Sequence, residues 1–92
     1  MMSHVLIVGA TGGIGAALAR HCSALSSLRT LVLCGRKATT DEALQQLCSE
    51  VRQRDVKALL LDVDITDEAS LSALATVLRE ENVDPDLVIH PA

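Results

Sequence analysis

The sequence contains no phenylalanine, tryptophan or tyrosine among its 92 residues. Without aromatic rings, the chain has no platform on which nucleic acid bases stack. The absence of tyrosine also means that these residues supply no phenol as a general acid or base. Binding of single strands by base stacking and proton transfer by tyrosine are therefore excluded for this stretch of chain.

Positive charge is also scarce. Eight Lys and Arg residues stand against twelve Asp and Glu, which gives a net charge of −4. No diffuse positive field is left to gather phosphodiester backbones or anionic lipid headgroups. The apolar run at residues 5–8 is far shorter than a membrane span and is followed at once by glycines. We therefore expect neither nucleic acid nor a membrane as a partner, and we expect a cytoplasmic location.

The cysteines lack the spacing of a metal or disulfide site. Cys22, Cys34 and Cys48 are odd in number, form no CxxC pair and have no nearby histidine at ligand spacing. Each falls within a predicted helix or strand, where cysteine behaves as a small hydrophobe. We predict three reduced thiols without metal or redox chemistry.

Apolar runs and helical stripes alternate along the chain. Four runs have the length of buried strands; they cover residues 4–8, 30–34, 56–63 and 86–90. Three segments between them have helical periodicity. The first runs from Gly13 to about Leu25, the second from a cap at Thr40 or Asp41 to about Arg54, and the third from a cap at Thr66 or Asp67 to Glu81. The predicted buried stripes include Ile14, Leu18, Cys22 and Leu25 in the first helix, and Leu71, Leu74, Ala75 and Leu78 in the third.

This β-α-β-α-β-α-β order predicts the fold class. At 92 residues and 49% hydrophobic content, the chain fits one domain at most. Alternating strands and helices imply right-handed crossovers and a parallel sheet. We predict an α/β fold with a Rossmann-like sheet in strand order 3-2-1-4. The first two helices would cover one face and the third the other, as a truncated three-layer sandwich.

A glycine-rich segment, GATGGIG at residues 9–15, lies between the first predicted strand and the first predicted helix. Glycines let the backbone turn sharply and bring amides close to a diphosphate, while the start of a helix adds unpaired N–H groups and partial positive charge. No Lys-Ser or Lys-Thr pair follows the last glycine, so the segment is not the phosphate loop of ATPases and GTPases. Its position favours a phosphate-binding site over the alternative, an ordinary tight turn.

The segment resembles the TGxxxGxG fingerprint of the short-chain dehydrogenases/reductases, with Gly9, Gly13 and Gly15 on its glycines and Val8 on its threonine. Because Gly12 is also present, the same stretch has the GxxGxxG spacing of the extended members, and the motif leaves the subclass open. The resemblance covers the whole chain. It implies that residues 1–92 are the N-terminal part of a single NAD(P)-binding Rossmann-fold domain. The cofactor-binding residues that it implies in this turn are Gly9, Thr11, Gly12, Gly13, Ile14 and Gly15.

A second match is Cys34-Gly35-Arg36, at the point where members of this family select between NAD and NADP. NAD binders usually carry an acid there, because a carboxylate accepts hydrogen bonds from the ribose hydroxyls and repels a 2′-phosphate. Arg36 instead offers that phosphate a charge-assisted pair, to which Lys37 adds a weaker contribution. The resemblance therefore implies NADP(H) rather than NAD. The alternative role for Arg36 is that of a solvated surface arginine.

A third match is Asp64-Ile65-Thr66-Asp67, which resembles the family's DVTD segment after strand three. It implies that Asp64 lies near the adenine amino group and that Ile65 lies against the ring. For Asp67, capping of the next helix is the favoured role, and ordering of the loop is the alternative for Asp64. Asp62 is interpreted only as an acid at the end of a strand.

The last segment, residues 86–92, is similar to the fourth strand of the family, which usually ends in NNAG. His90 and Pro91 replace the two asparagines. A solitary histidine without an adjacent Asp or Ser forms no recognisable relay, so we expect His90 to be structural rather than catalytic.

The family's catalytic serine and YxxxK pair lie beyond the fourth strand, and none can be assigned in this chain. The resemblance therefore implies the NADP(H)-binding portion of an oxidoreductase that acts on a carbonyl or alcohol. The alternative is a non-catalytic nucleotide-binding or interaction module. A glycine and a YxxxK motif encoded after Ala92 would favour the oxidoreductase, and a native stop codon would favour the module. The apolar edge of the fourth strand also predicts self-association of the isolated chain.

Overall fold

The computed structural model describes residues 3–90, which form four strands and three helices in the predicted order. The strands are β1 (His4–Val8), β2 (Thr30–Gly35), β3 (Lys57–Asp62) and β4 (Leu87–Ile89). The helices are α1 (Gly13–Ser23), α2 (Glu42–Arg52) and α3 (Glu68–Glu80), and a single 3-10 turn spans Ala38–Thr40. Helix α1 ends before Leu25 because the N–H of Ala24 bonds back to His21 and Cys22 in a terminal turn.

The strands form one parallel sheet in the order β3-β2-β1-β4. This order confirms the predicted Rossmann-like topology. The chain moves outward from β1 to β3 and then crosses back to place β4 on the other side of β1. Ligands of such sheets bind outside the carboxyl ends of the strands, where the direction of crossover reverses. The fold thus places the ends of β1 and β4 at the expected position of a site.

The two faces of the sheet carry separate apolar clusters, because successive strand residues point to opposite sides. On one face, α1 and α2 pack against strand residues such as Val5, Ile7 and Leu31. On the other face, Leu74 of α3 packs with Leu6 and other strand residues of the second cluster. This distribution confirms that the first two helices cover one face and the third helix the other.

Three positions of the predicted helical stripes are not buried, and the prediction for them was wrong. Ile14 is 68% exposed, because it lies in the first turn of α1, where the helix begins beyond the ends of the strands. Leu71 is 41% exposed, and Ala75 is also exposed. Within residues 3–90, no second helix lies beside α3 on its face of the sheet. The side of α3 that packs on the sheet, at Leu74 and Leu78, is covered, whereas Leu71 and Ala75 remain exposed.

Side chains of aspartates cap two of the helices. Asp41 accepts a hydrogen bond from the Leu44 amide at 3.1 Å, and Asp67 accepts one from the Ala69 amide at 3.0 Å. Each cap satisfies one of the amides that a helix leaves unpaired at its start. Of the residues considered, Asp41 rather than Thr40 and Asp67 rather than Thr66 are the caps.

The short strand β4 is attached to β1 through Asp86. Its carboxylate accepts hydrogen bonds from the amides of Ser3 and His4, at 3.0 and 3.1 Å, and its own amide donates to the His4 carbonyl at 2.9 Å. The hydrogen bond from the Ser3 amide, with that from His4, lowers the pKa of the Asp86 carboxyl below its usual value. The fourth strand therefore starts in a fixed register beside the first.

All three cysteines are buried and free. Burial raises the pKa of the Cys34 thiol to about 12, and it also raises the pKa of Cys22 and Cys48. A thiol with a raised pKa holds little thiolate at neutral pH and is a poor nucleophile. The prediction of three reduced thiols is confirmed.

No helix among residues 3–90 has both the length and the apolar character needed to cross a membrane.

Candidate functional site

The turn between β1 and α1 is tied to the end of β2. Gly9 has a φ angle of 84°, in the left-handed region that favours glycine. The amides of Gly9 and Ala10 both donate to the Cys34 carbonyl at 2.8 Å, and Ala10 is fully buried. These contacts direct the chain back over the carboxyl ends of β1 and β2 before the helix begins.

Gly15 lets α1 lie directly on this turn. A Cβ atom at Gly15 would stand 2.1 Å from the Gly9 carbonyl oxygen and 2.9 Å from the Ala10 Cα, which are backbone atoms and cannot rotate away. At Gly12 a Cβ would meet the Gly9 oxygen at 3.7 Å, an ordinary contact, and at Gly13 it would meet nothing within 4 Å. The three glycines therefore differ: Gly15 is needed for close packing, whereas Gly13 faces open space.

The start of α1 differs from the starts of the other two helices. Gly12 is its N-cap residue, so no side chain caps the helix, and no acidic residue lies in its first turn. The first turns of α2 and α3 each have an aspartate cap and contain a glutamate, Glu42 and Glu68. Unpaired amides and the helix dipole favour an anion at a helix N-terminus, and α1 keeps both free of competing carboxylates.

Thr11 packs against Gly35, the last residue of β2. A Cβ atom at Gly35 would stand only 2.8 Å from Cγ2 of Thr11 and 3.0 Å from its hydroxyl oxygen. The absence of a side chain at Gly35 thus lets the glycine turn approach the end of the neighbouring strand. No contact of Gly35 with the glycine turn was predicted from the sequence, because this contact joins segments that are distant along the chain.

A cavity of about 350 Å³ opens at the carboxyl ends of all four strands. That volume lies in the range of small-molecule sites, and the location is the one expected for ligands of open parallel sheets. Its walls come from the segments that follow each strand. The lining residues are Val8, Gly9 and Thr11 at the end of β1, Gly35 and Arg36 at the end of β2, Val63, Ile65 and Thr66 after β3, and His90 after β4.

Four of the predicted site residues line this cavity, namely Gly9, Thr11, Arg36 and Ile65. Gly12, Gly13, Ile14 and Gly15 lie beside it, in the turn and the first turn of α1, without forming its wall. Sequence reasoning missed Val8, Gly35, Val63 and Thr66 as wall residues, and it gave His90 a structural role only. Their common signal is their position at or just beyond the end of a parallel strand.

Asp64 and Arg36 meet beside the cavity. The Asp64 carboxylate accepts hydrogen bonds from the Thr66 amide at 3.0 Å and from the Thr66 hydroxyl at 2.6 Å. Its Oδ1 lies 3.8 Å from Nε of Arg36, whose side chain is 74% exposed. The Thr66 hydrogen bonds, with a smaller effect of the Arg36 charge, lower the pKa of the Asp64 carboxyl. Asp64 therefore orders its own loop, while the Arg36 guanidinium remains accessible to a ligand.

These residues fit a dinucleotide. The uncapped start of α1 and the open space at Gly13 suit a pyrophosphate, which binds through backbone amides. Ile65, 44% exposed at the cavity wall, provides an apolar surface for a planar base. Arg36 lines the same cavity and carries a guanidinium group, which is of the kind that pairs with phosphates. Fold and site together define a Rossmann-type dinucleotide-binding unit of the short-chain dehydrogenase/reductase kind.

Comparison with known proteins narrows this class. The profile of the KR domain, a ketoreductase group within the short-chain dehydrogenases/reductases, matches residues 3–92. The chain belongs to this family. KR domains use a nicotinamide dinucleotide, so the cofactor class agrees with the predicted one.

Individual relatives agree with the family. Over 88 residues the chain is 33% identical to the phenolphthiocerol synthesis polyketide synthase type I Pks15/1 of Mycobacterium bovis, covering 96% of this chain and 4% of that protein. Among solved structures, it is similar to the PlmKR1 ketoreductase from the first module of phoslactomycin biosynthesis in Streptomyces sp. HK803. That match has 32% identity and a TM-score of 0.79, and it covers 96% of this chain and 20% of the other. The first ketoreductase of the tylosin polyketide synthase matches with 30% identity and a TM-score of 0.78, covering 98% of this chain and 18% of the other. The chain thus spans a small part of the length of the proteins that it matches.

Proposed function

We propose that this chain is the NADP(H)-binding part of a polyketide-type ketoreductase that interconverts a carbonyl and an alcohol. The observation that carries the proposal is the uncapped, acid-free start of α1 beside a cavity that Arg36 lines. Relatives described as polyketide synthases and ketoreductases support the class of reaction.

Within this proposal, each residue of the site has a binding role. The amides at the start of α1 hold the pyrophosphate, and Gly15 keeps the helix close enough to the strand for those amides to be placed there. Ile65 takes one side of the adenine ring, and Arg36 pairs with the 2′-phosphate. When bound, NADPH supplies the hydride for carbonyl reduction. This chain's residues bind and orient the cofactor, and we assign none of them to proton transfer.

Selection of NADP(H) over NAD(H) is expected to depend on Arg36. A hydrogen bond to a charged group contributes roughly 1.5 to 3 kcal/mol, which is about tenfold to a hundredfold in affinity. Arg36→Ala should therefore weaken NADPH binding by about that factor and leave NADH binding nearly unchanged, as measured by calorimetric titration of both cofactors.

Two control variants sharpen the measurement. Arg79→Ala removes an exposed arginine from the last turn of α3, at the end away from the cavity, and should leave both affinities unchanged. Lys37→Ala should have a smaller effect than Arg36→Ala. Equal losses for NADPH and NADH in Arg36→Ala, or no loss for either, would remove the 2′-phosphate from the proposal.

We also infer that the chain acts in the cytoplasm and that it self-associates in isolation. Val88 of β4 is 58% exposed, on a strand that pairs with β1 alone among the described strands. An apolar strand edge with unpaired backbone groups favours strand addition between copies. Sedimentation velocity should detect dimers or larger species at micromolar concentrations, and a compact monomer throughout that range would contradict the inference.

A further inference from the structure

The segment that follows β2, residues 36–41, carries both cations proposed to face the 2′-phosphate, Arg36 and Lys37. We name it the β2–α2 loop. Arg36 is exposed and makes one long ion pair, at 3.8 Å, with Asp64. The position of the two cations therefore depends on what holds the loop itself.

Ala38 of this loop is buried in the core, and Thr39 beside it forms hydrogen bonds to two neighbouring elements. The Thr39 amide donates to Oδ1 of Asp62 at 2.9 Å, and its hydroxyl donates to Oδ2 of the same carboxylate at 2.8 Å. Its carbonyl accepts a hydrogen bond from Nε2 of Gln45 in α2, at 2.6 Å. Every polar group of this exposed residue is thus bound, and the bonds come from two different elements, β3 and α2.

Asp62 is well placed for this contact. Asp62 is the last residue of β3 and pairs with Gly35 in the parallel register. Arg36 directly follows Gly35, so Asp62 is close to it across the sheet. Yet among residues 3–90 its carboxylate forms no ion pair, and both of its oxygens bind Thr39. The amide and hydroxyl of Thr39 lower the pKa of Asp62 below its usual value, because they donate to its charged form. The acid beside the cation pair is engaged with the loop backbone instead of neutralising the cations.

We infer that Asp62 is a positioning residue for cofactor selection, which holds the β2–α2 loop through Thr39 so that Arg36 and Lys37 face the 2′-phosphate. This inference rests on the proposed function. In this role, the Asp62 carboxylate contributes to the preference for NADP(H) without contacting the 2′-phosphate.

The direction in which NADPH affinity changes when Asp62 is neutralised distinguishes the positioning role from a direct electrostatic effect of its carboxylate. A carboxylate near a bound phosphate repels it, so removing the charge of Asp62 would tighten NADPH binding if charge were its only influence. If Asp62 instead holds the loop, loss of its hydrogen bonds makes the loop mobile. NADPH binding then weakens, because the loop loses conformational entropy when the cofactor binds. The two roles thus predict opposite changes for the same substitution.

The test compares NADPH and NADH affinities of variants in the full chain by calorimetric titration. Thr39→Val removes the hydroxyl donor at nearly constant shape, and Asp62→Asn removes the charge and one acceptor. Both should lower NADPH affinity by about threefold to tenfold, less than Arg36→Ala, because the cations remain present. NADH affinity should stay unchanged. Thr39→Ser keeps both hydrogen bonds and should behave as the wild type.

A matched pair on α2 provides the control. Gln45→Ala removes the bond to the Thr39 carbonyl and should lower NADPH affinity in the same selective way. Gln46→Ala removes a neighbouring exposed glutamine, whose amide reaches Glu50 at 3.5 Å, and should change neither affinity. Because Gln45 is exposed on the helix surface, its loss leaves folding intact, and the thermal midpoint of each variant checks this.

The outcomes distinguish this inference from the proposed function. An unchanged ratio of NADPH to NADH affinity in Thr39→Val and Gln45→Ala, or a higher NADPH affinity in Asp62→Asn, overturns the positioning role even if Arg36→Ala behaves as expected. A wild-type chain that does not prefer NADPH overturns both. A selective loss in all three variants, with Thr39→Ser and Gln46→Ala unchanged, supports the inference.

Discussion

Replacement of Gly15 by alanine is expected to lower the thermal midpoint of the chain by about 4 to 24 °C. The new Cβ would stand 2.1 Å from the Gly9 carbonyl oxygen and 2.9 Å from the Ala10 Cα, so α1 must move off the turn as a unit. Overpacking of this kind typically costs about 1 to 3 kcal/mol, and each kcal/mol shifts the midpoint of a domain of this size by about 4 to 8 °C. Differential scanning calorimetry measures the change directly.

Gly12→Ala and Gly13→Ala are the matched controls, because they add the same methyl group to the same turn. At Gly12 the added carbon would meet its nearest neighbour at 3.7 Å, and at Gly13 it would meet nothing within 4 Å. Both variants should therefore melt near the wild type. If the three alanine variants melted together, the close approach of α1 to the β1 turn would not be what Gly15 provides.

Gly13→Ala is expected to separate stability from binding. Alanine is a better helix former than glycine by about 1 kcal/mol, so the variant should be as stable as the wild type or slightly more stable. In the proposed function, however, the open space at Gly13 is taken by the pyrophosphate, so the methyl group would compete with it for that space. We expect a loss of affinity of about tenfold or more, equivalent to roughly 1.4 kcal/mol or more.

This loss should be equal for NADPH and NADH, since both cofactors contain the pyrophosphate. The equal loss contrasts with the selective effect expected of Arg36→Ala and shows which part of the cofactor each residue contacts. Calorimetric titration, paired with a thermal melt of the same sample, gives both quantities. A Gly13→Ala chain that binds both cofactors like the wild type would mean that no ligand approaches the first turn of α1.

The topology could be predicted from the sequence because it depends on patterns along the chain. Apolar runs of strand length alternate with helical stripes, and handedness then restricts how parallel strands connect. The same periodicity could not show which side of a helix meets a neighbour. Leu71 and Ala75 continue the stripe of α3 in the sequence, but both are exposed, because no second helix lies beside α3 within residues 3–90. Helical spacing predicts a face, and burial of that face depends on what lies opposite it.

Those residues of the candidate site that belong to local sequence motifs could be predicted from the sequence. The glycine turn and Arg36 each follow the end of a strand, and the structure brings them together at one edge of the sheet. The contact of Thr11 with Gly35 and that of Asp62 with Thr39 join residues more than twenty positions apart. Each depends on the register of neighbouring strands, which no single segment encodes. Asp62 was therefore interpreted only as an acid at a strand end.

Binding of the pyrophosphate by the amides at the start of α1 is the claim on which the function depends. An amide NMR titration of the ¹⁵N-labelled chain with NADPH tests it most directly, because each amide reports its own environment. We expect the largest shifts at Gly13, Ile14 and Gly15, together with Arg36. Unchanged signals at these amides, with shifts instead in the groove between Arg20 and Glu50, would contradict it.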